Sequence, residues 1–323
     1  MLGKKLLRQS QNSVFGIFIA FIVLCIILSI LSPHFLNVNN LLNVVVQISI
    51  NFTIAVGMTF VILKGGIDLS VGSNVALVGL FMAIFMKNLE MPVFLSISIA
   101  LVIASLFGLI NGVLITVVKL PPFIATLGMM SVLRGIAFTV TGGQPVFLLP
   151  EAMRAITGRI YNIPVYILLI MGTLFAVAAY VLKYTRFGRQ LYAIGGNEVC
   201  AHLSGIRVKT VKCSAYVISG LCCGIASVLL TSRLDSAVPV AADGAELNAI
   251  AAVVIGGVSM RGGEGSLIGT LIGSLIIGVV ANGMNLLNVA QGAQRTMMGV
   301  IIIVAVSIDV MRRHFSAKRA AMA

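Results

Sequence analysis

The most unusual short sequence is GGIDLS, residues 65–70, which places one acid, Asp68, inside a long apolar stretch. The two glycines allow the backbone to unwind, and broken helices occur in membranes where the backbone lines a cavity or is buried in protein. A charge at the bilayer centre costs about 2.5–3.5 kcal/mol, so we expect Asp68 to lie near an interface or to be paired. Two roles stay open: a gate, ion site or partner contact, or a cap that Asp68 or Ser70 forms for the next helix.

A second segment, GGVSMRGGEGS at residues 256–266, repeats the double glycine, the polar turn and the following apolar run. Two glycine-broken segments in corresponding halves of a transporter are typical of an inverted repeat, which we keep as a hypothesis. Arg261 and Glu264 are spaced to pair across this turn. A surface turn between two spans is favoured over a catalytic role.

Polar side chains also recur inside the apolar runs, where buried amides need hydrogen-bond partners. Such amides either contact a polyhydroxylated solute in a water-filled path or tie neighbouring helices together, and both interpretations stay open. Arg134 is costly enough in lipid to need a cavity or a partner. The candidate residues of a translocation path or gate are Asn51, Asp68, Ser70, Asn74, Asn111, Arg134, Asn248 and Asn282.

Sequence signatures of other chemistry are absent. The chain has no G-x-x-x-x-G-K-[ST] loop, no H-E-x-x-H and no G-x-S-x-G. Its three histidines, at positions 34, 202 and 314, are too dispersed for a metal site. We therefore predict no enzyme activity, no catalytic residue and no metal. The chain also lacks the series of membrane acids that proton-driven carriers use, so energy for active transport would enter from another chain.

The composition indicates what must hold these residues in place. The chain is 59% hydrophobic and 10% charged, with a mean hydropathy of +1.11, whereas soluble domains are about 25% charged. Long unbroken apolar runs select membrane-spanning helices rather than a barrel. The net charge of +13 is spread over many short loops, which favours membrane orientation over nucleic-acid binding. Five cysteines without zinc-type spacing predict free thiols.

Ten apolar runs predict ten spans, and the first run has no cleavage site after it. With the N-terminus inside, 16 of the 22 basic residues fall on the inner side, and Arg154 and Arg159 fall in an outer loop, 142–162. This bias predicts that both termini are cytoplasmic. The spans are expected at about 14–31, 41–63, 71–86, 93–117, 123–141, 163–182, 213–232, 246–258, 267–287 and 294–310.

The longest polar segment, residues 183–212, carries six basic residues against one acid, Glu198. Lys and Arg in short loops resist translocation, so we expect this loop in the cytoplasm. Gly195 and Gly196 predict a flexible break, and Asn197 and Gly205 are suited to begin and end a helix over about 197–204. We expect this helix to lie against the inner face of the membrane. It is interpreted either as a docking element for a cytoplasmic partner or as part of an ordinary positive loop.

Glycines repeat at four-residue spacing in three of the predicted spans. Small residues let helices approach closely in lipid, so this spacing predicts helix packing. The glycines concerned are Gly108, Gly112, Gly220, Gly224, Gly265, Gly269 and Gly273.

Four longer blocks carry a family resemblance. They are AVGMTFVILKGGIDLSVGS (55–73), IATLGMMSVLRGIAF (124–138), TRFGRQLYAIGGNEVCAHLSGI (185–206) and AIAAVVIGGVSMRGGEGSLIGTLIG (249–273). Together they resemble the ribose-type monosaccharide permeases of bacterial ABC importers. The blocks occur in the family's order, and the similarity covers nearly the whole chain.

The resemblance implies an all-α, type II-like ABC importer permease of about ten spans, forming one domain over residues 1–323 in the bacterial inner membrane. It implies a second permease copy or a close paralogue, a cytoplasmic ABC ATPase and a periplasmic binding protein that delivers the sugar. ATP would bind to the ATPase, so this chain itself would need no cofactor. The competing hypothesis is a self-sufficient, ion-coupled carrier in which Asp68 is the coupling acid.

The resemblance further implies that residues 197–206 hold the coupling helix within the loop 183–212. Members of the family often have a small residue where Cys200 and His202 stand, and we expect His202 to adjust the docking surface. The candidate coupling residues are Gly188, Arg189, Gly195, Asn197, Glu198, His202, Leu203 and Gly205.

Overall fold

The computed structural model describes residues 2–158, 160 and 163–321, and it describes side chains for 15–158, 160, 163–307 and 311. Arg159, which the sequence assigns to an outer loop, lies outside the described residues. The helices that contain the apolar runs are α1 (Leu2–Leu31), α2 (Val38–Leu63), α3 (Val71–Lys87), α4 (Val93–Thr116), α5 (Pro122–Thr141), α7 (Val165–Tyr184), α10 (Val208–Leu234), α11 (Ala245–Ile255), α12 (Leu267–Leu286) and α13 (Gln291–Ala321). The short elements are β1 (Val146–Phe147), α6 (Glu151–Arg154), a 3₁₀ turn (Ala155–Thr157), α8 (Arg186–Gly196), α9 (Glu198–Leu203) and β2 (Ser236–Ala237).

Local sequence explains several helix ends. The Asn37 side chain accepts a hydrogen bond from the Asn39 amide at 2.9 Å, which caps the start of α2. Ser266 caps α12 in the same way, accepting from the Gly269 amide at 3.3 Å. Helix α5 begins at Pro122 and ends at Thr141, and Gly142 caps it with a left-handed φ of 60°.

Every predicted span coincides with a helix, and within the described residues six of these helices are long and apolar enough to cross a membrane. Three further apolar segments of the described chain are shorter: α3 (Val71–Lys87), α11 (Ala245–Ile255) and Phe15–Leu31, the part of α1 whose side chains are described. The chain is therefore an all-α membrane protein, while the count of ten spans stays a prediction. The six long apolar helices are Val38–Leu63, Val93–Thr116, Pro122–Thr141, Val165–Tyr184, Val208–Leu234 and Leu267–Leu286.

Helices α2 and α10 form the centre of the molecule. The most apolar window of α2 is 83% buried, whereas the corresponding window of α7 is 17% buried. Glycines allow the helices to approach closely. Gly108 and Gly112 of α4 face α10, and a Cβ added to Gly220 of α10 would lie only 3.2 Å from the Gly108 Cα. Helix α12 packs on α11 in the same manner through Gly269 and Gly273. Gly224 completes the α4–α10 contact, against Leu101 and Ala104. The predicted helix-packing role of Gly265 is wrong, because this residue lies in the turn before α12, against Val258.

The predicted outer loop 142–162 contains short secondary-structure elements that the sequence analysis did not predict. Strand β1 pairs antiparallel with β2, which joins this loop to the segment after α10. Arg154 lies 3.7 Å from Asp235, and Ser232 donates to the Met153 carbonyl at 2.7 Å. The loop is therefore fastened to the end of α10.

The turns 64–70 and 256–266 lie on the same side of the molecule. The Gly263 amide donates to the Leu63 carbonyl at 2.8 Å, so the two turns are in direct contact. The inverted repeat stays a prediction, because broken segments of two repeats can meet at the repeat interface. The predicted pairing of Arg261 with Glu264 is wrong, since none of the ion pairs between described side chains joins them.

Candidate functional site

The polar segment between α7 and α10 folds into two helices rather than one. Thr185 caps α8 by accepting from the Gly188 amide at 3.2 Å, and Asn197 caps α9 by accepting from the Cys200 amide at 3.0 Å. Gly205 follows α9 with a φ of +81°, as its position predicts. The predicted flexible break at Gly195 and Gly196 is wrong, because both residues belong to the last turn of α8.

Helix α9 leaves its apolar side chains uncovered. Val199 is 69% exposed and Leu203 is 80% exposed, while Ala201 is the one buried residue of the helix. His202 and Cys200 are exposed beside them. Helix α9 is therefore a short capped helix with two aliphatic side chains that no described part of the chain covers.

The remaining coupling candidates hold α8 and α9 in place. Glu198 pairs with Lys212, which joins α9 to α10. Gly188 is buried against the carbonyls at the end of α7, and Arg189 is exposed and donates to the Tyr184 carbonyl at 3.3 Å. Gly195 lies against the Leu63 carbonyl.

Asp68 is the centre of a second, buried polar cluster. Its carboxylate accepts from the Ser70 amide at 3.0 Å, from the Ser70 hydroxyl at 2.7 Å and from the Ser219 hydroxyl at 2.9 Å. Asn111 donates to the Ser70 hydroxyl at 2.8 Å and approaches Asp68 at 3.5 Å. Asp68 is only 2% exposed. These donors link the turn 64–70 to α4 and α10, so Asp68 is held by the chain itself.

Lys64 lies at the end of α2, beside this cluster and buried with it. Its ammonium lies 3.9 Å from the centroid of the Tyr216 ring, and the Tyr216 hydroxyl donates to the Ile67 carbonyl at 3.2 Å. Burial, together with the nearby positive charge of Lys212, lowers the pKa of Lys64 to about 7, although Asp68 and Glu198 oppose the shift. Burial raises the pKa of Asp68, while hydrogen bonds from Ser70 and Ser219 oppose that shift.

The other candidate path residues are scattered over the molecule. Asn74 donates to the Ala104 carbonyl at 3.2 Å. Asn282 exchanges two hydrogen bonds with Asn40, at 2.9 and 3.0 Å, and so ties α12 to α2. Arg134 donates to the carbonyls of Pro239 and Ala241, at 2.6 and 2.9 Å.

Asn51 and Asn248 are half-buried and make no side-chain hydrogen bond to a described residue. Of the eight candidates, the structure therefore unites only Asp68, Ser70 and Asn111. The sequence interpretation missed Ser219, which donates to Asp68, and Tyr216, which donates to the neighbouring Ile67 carbonyl. The only sign of either residue in the sequence was a polar group within an apolar run.

Comparison with known proteins shows the family to which this helical membrane protein belongs. Residues 40–306 match the model of the family described as the branched-chain amino acid transport system permease component, which is most of the chain. The chain belongs to this permease family. No solved structure matches it.

Individual members of the permease family are similar over nearly the full length. The ribose import permease of Haemophilus influenzae is 47% identical over 313 residues, covering 95% of this chain and 94% of its own. The ribose import permease of Bacillus subtilis is 47% identical over 296 residues, covering 91% and 92%. The D-allose transport permease of Escherichia coli is 37% identical over 298 residues, covering 91% of each chain. These relatives are transport permeases, not enzymes.

Proposed function

We propose that this permease is the membrane-spanning subunit of an ATP-binding-cassette importer for a ribose-like monosaccharide, in the bacterial inner membrane. The near full-length identity to ribose import permeases carries the proposal. The ion-coupled carrier is disfavoured, because the Asp68 carboxylate is occupied by hydrogen-bond donors of its own chain. ATP would bind to a partner subunit, and this chain would act as one domain over residues 1–323.

We propose ten spans with both termini in the cytoplasm. Loop contacts support this arrangement, because loops predicted on one side touch each other. The inner turns 64–70 and 256–266 meet through the hydrogen bond from Gly263 to Leu63. On the predicted outer side, Lys87 donates to the Phe147 carbonyl at 2.9 Å, and Arg295 lies 3.3 Å from Asp243.

Three partners follow from this assignment. A cytoplasmic ATPase would cover α9, whose exposed Val199 and Leu203 suit an apolar contact. A second permease copy or a close paralogue would cover part of the apolar surface that α4, α5 and α7 leave open. A periplasmic sugar-binding protein would deliver the sugar to the outer loops.

The mechanism we propose is alternating access. ATP closes the two ATPase subunits, which push on the coupling segments 183–212 of the paired permeases and switch the side on which the path opens. Such a switch requires that ATP-bound ATPase has different affinities for the two permease states.

The proposal is tested by reconstituting the permease with its ATPase and a ribose-binding protein in proteoliposomes, and measuring ribose uptake per ATP hydrolysed. We expect Gly205→Val to lower this ratio at least tenfold, because a β-branched side chain does not adopt the positive φ that positions the end of α9. Asn197→Leu, which removes the cap of α9, should lower it too.

Gly142→Val is the matched control. Gly142 also ends a helix, with a φ of 60°, and like Gly205 it has no atom within 4 Å of its Cβ position. Full uptake by Gly205→Val would refute the docking role of α9. Ribose accumulation by the permease alone, driven by an ion gradient, would overturn the importer assignment.

A further inference from the structure

Three turns meet behind the coupling segment without intervening side chains. They are the end of α2, the end of α8 and the turn between α11 and α12. We call Gly195, Gly262 and Gly263, packed around the Leu63 carbonyl, the glycine junction. The Gly263 amide donates to the Leu63 carbonyl at 2.8 Å, which fixes two of the three turns to each other.

The glycine junction has no room for a Cβ. On Gly262, a Cβ would lie 2.6 Å from the Gly65 nitrogen, 2.8 Å from the Leu63 oxygen and 2.9 Å from the Gly195 Cα. On Gly195, a Cβ would overlap the Leu63 oxygen and the Gly263 nitrogen. The end of α8 is therefore in direct backbone contact with both other turns.

Two side chains extend this contact along α8. The Phe187 ring stacks on the Phe60 ring of α2, with centroids 6.3 Å apart. The Tyr192 hydroxyl donates to the Gly265 carbonyl at 3.1 Å, in the turn before α12. Helix α8 is thus attached to α2 and to the α11–α12 turn by three kinds of contact.

The position of the glycine junction gives it a mechanical consequence. Gly195 and Gly196 end α8, and Asn197, the cap of α9, follows immediately. Close-packed backbones do not absorb displacement as flexible side chains do, so a shift of α9 moves the turns behind it. Helix α2 is the most buried of the six long apolar helices, so a displacement of its end reaches the core of the protein.

We propose that the glycine junction passes movement of α9 to the ends of α2 and α12, and that Gly195 and Tyr192 are positioning residues for coupling. The inference rests on the proposed importer function. It assigns to Gly195 a contact inside the permease, distinct from the outward docking of α9 on an ATPase.

Adjacent glycines provide a matched pair for the test. Gly195→Ala inserts a methyl group into the junction, whereas Gly196→Ala, in the same helical turn, meets no atom within 4 Å. With the wild-type complex transporting ribose in proteoliposomes, we expect Gly195→Ala to lower ribose uptake per ATP hydrolysed at least fivefold. Gly196→Ala should stay within twofold of wild type.

A second variant serves if Gly195→Ala does not assemble. Tyr192→Phe removes only the hydroxyl that donates to Gly265, and we expect a two- to threefold lower ratio of uptake to hydrolysis with unchanged ATPase binding. Equal ratios for Gly195→Ala and Gly196→Ala, or a wild-type ratio for Tyr192→Phe, would overturn the inference. A wild-type chain without ATP-driven uptake would overturn the proposed function itself, and the inference with it.

Discussion

The turns 64–70 and 256–266 contain similar sequence but reverse the chain in different ways. The first turn is closed by side chains, since Asp68 accepts hydrogen bonds from Ser70 and Ser219. The second is closed by backbone geometry, with four glycines at positive φ, and its charged residues Arg261 and Glu264 are exposed. A double glycine followed by an acid therefore does not define one structure.

The difference follows from what surrounds each turn. The turn 64–70 lies among α4 and α10, where a buried carboxylate must be satisfied by donors on those helices. The turn 256–266 lies against the backbone of Leu63 and Gly195, where no side chain fits. Stability should accordingly depend on hydrogen bonds in the first turn and on backbone freedom in the second.

The largest effect is expected for Asp68→Ala. The substitution leaves the hydroxyls of Ser70 and Ser219 and the Ser70 amide without their acceptor, and we expect the free energy of unfolding to fall by about 3–5 kcal/mol. Unfolding of the purified protein in mixed micelles by SDS titration measures this loss. Glu264→Ala, at the exposed acid of the second turn, should change it by less than about 0.5 kcal/mol. Equal losses would remove the distinction between the turns.

A smaller effect is expected for Gly262→Ala. The new methyl group meets the backbone of Gly65 and Leu63, and the residue must keep a φ of +87°. We expect the free energy of unfolding, measured by the same SDS titration, to fall by about 2–4 kcal/mol. Gly244→Ala separates the two causes, because Gly244 has a φ of +79° but open space around its Cβ position. Gly244→Ala should lower the free energy of unfolding by only about 1 kcal/mol. A loss as large as that of Gly262→Ala would contradict the argument that crowding destabilises the latter variant.

The smallest effect is expected for Ser219→Ala, which removes one of the donors to Asp68. We expect a loss of about 1–2 kcal/mol. Ser227 is also buried on α10, but its hydroxyl makes no hydrogen bond to a described residue. Ser227→Ala should therefore be neutral or slightly stabilising. If the two variants unfold at the same SDS concentration, the Ser219 bond does not contribute to the stability of the turn.

Local features of this protein followed from the sequence. The helices coincide with apolar runs, because in lipid an apolar segment satisfies its backbone by becoming helical. Asn197 and Gly205 mark the ends of α9 because a cap acts on amides only two or three residues away. Glycines at four-residue spacing within α4, α10 and α12 likewise indicated close helix packing, since such glycines occupy one face of one helix.

Only the tertiary structure decided which distant groups meet. Asp68 bonds to Ser219, 151 residues away, and nothing in the apolar run around Ser219 specifies that partner. The sequence predicts a flexible break at Gly195, yet this residue is a contact point between backbones. Close approach depends on two backbone segments, and the sequence of one segment does not specify the other. The sequence thus determined the helices and the family, while the packing of three turns around the Leu63 carbonyl determined what the glycines between them do.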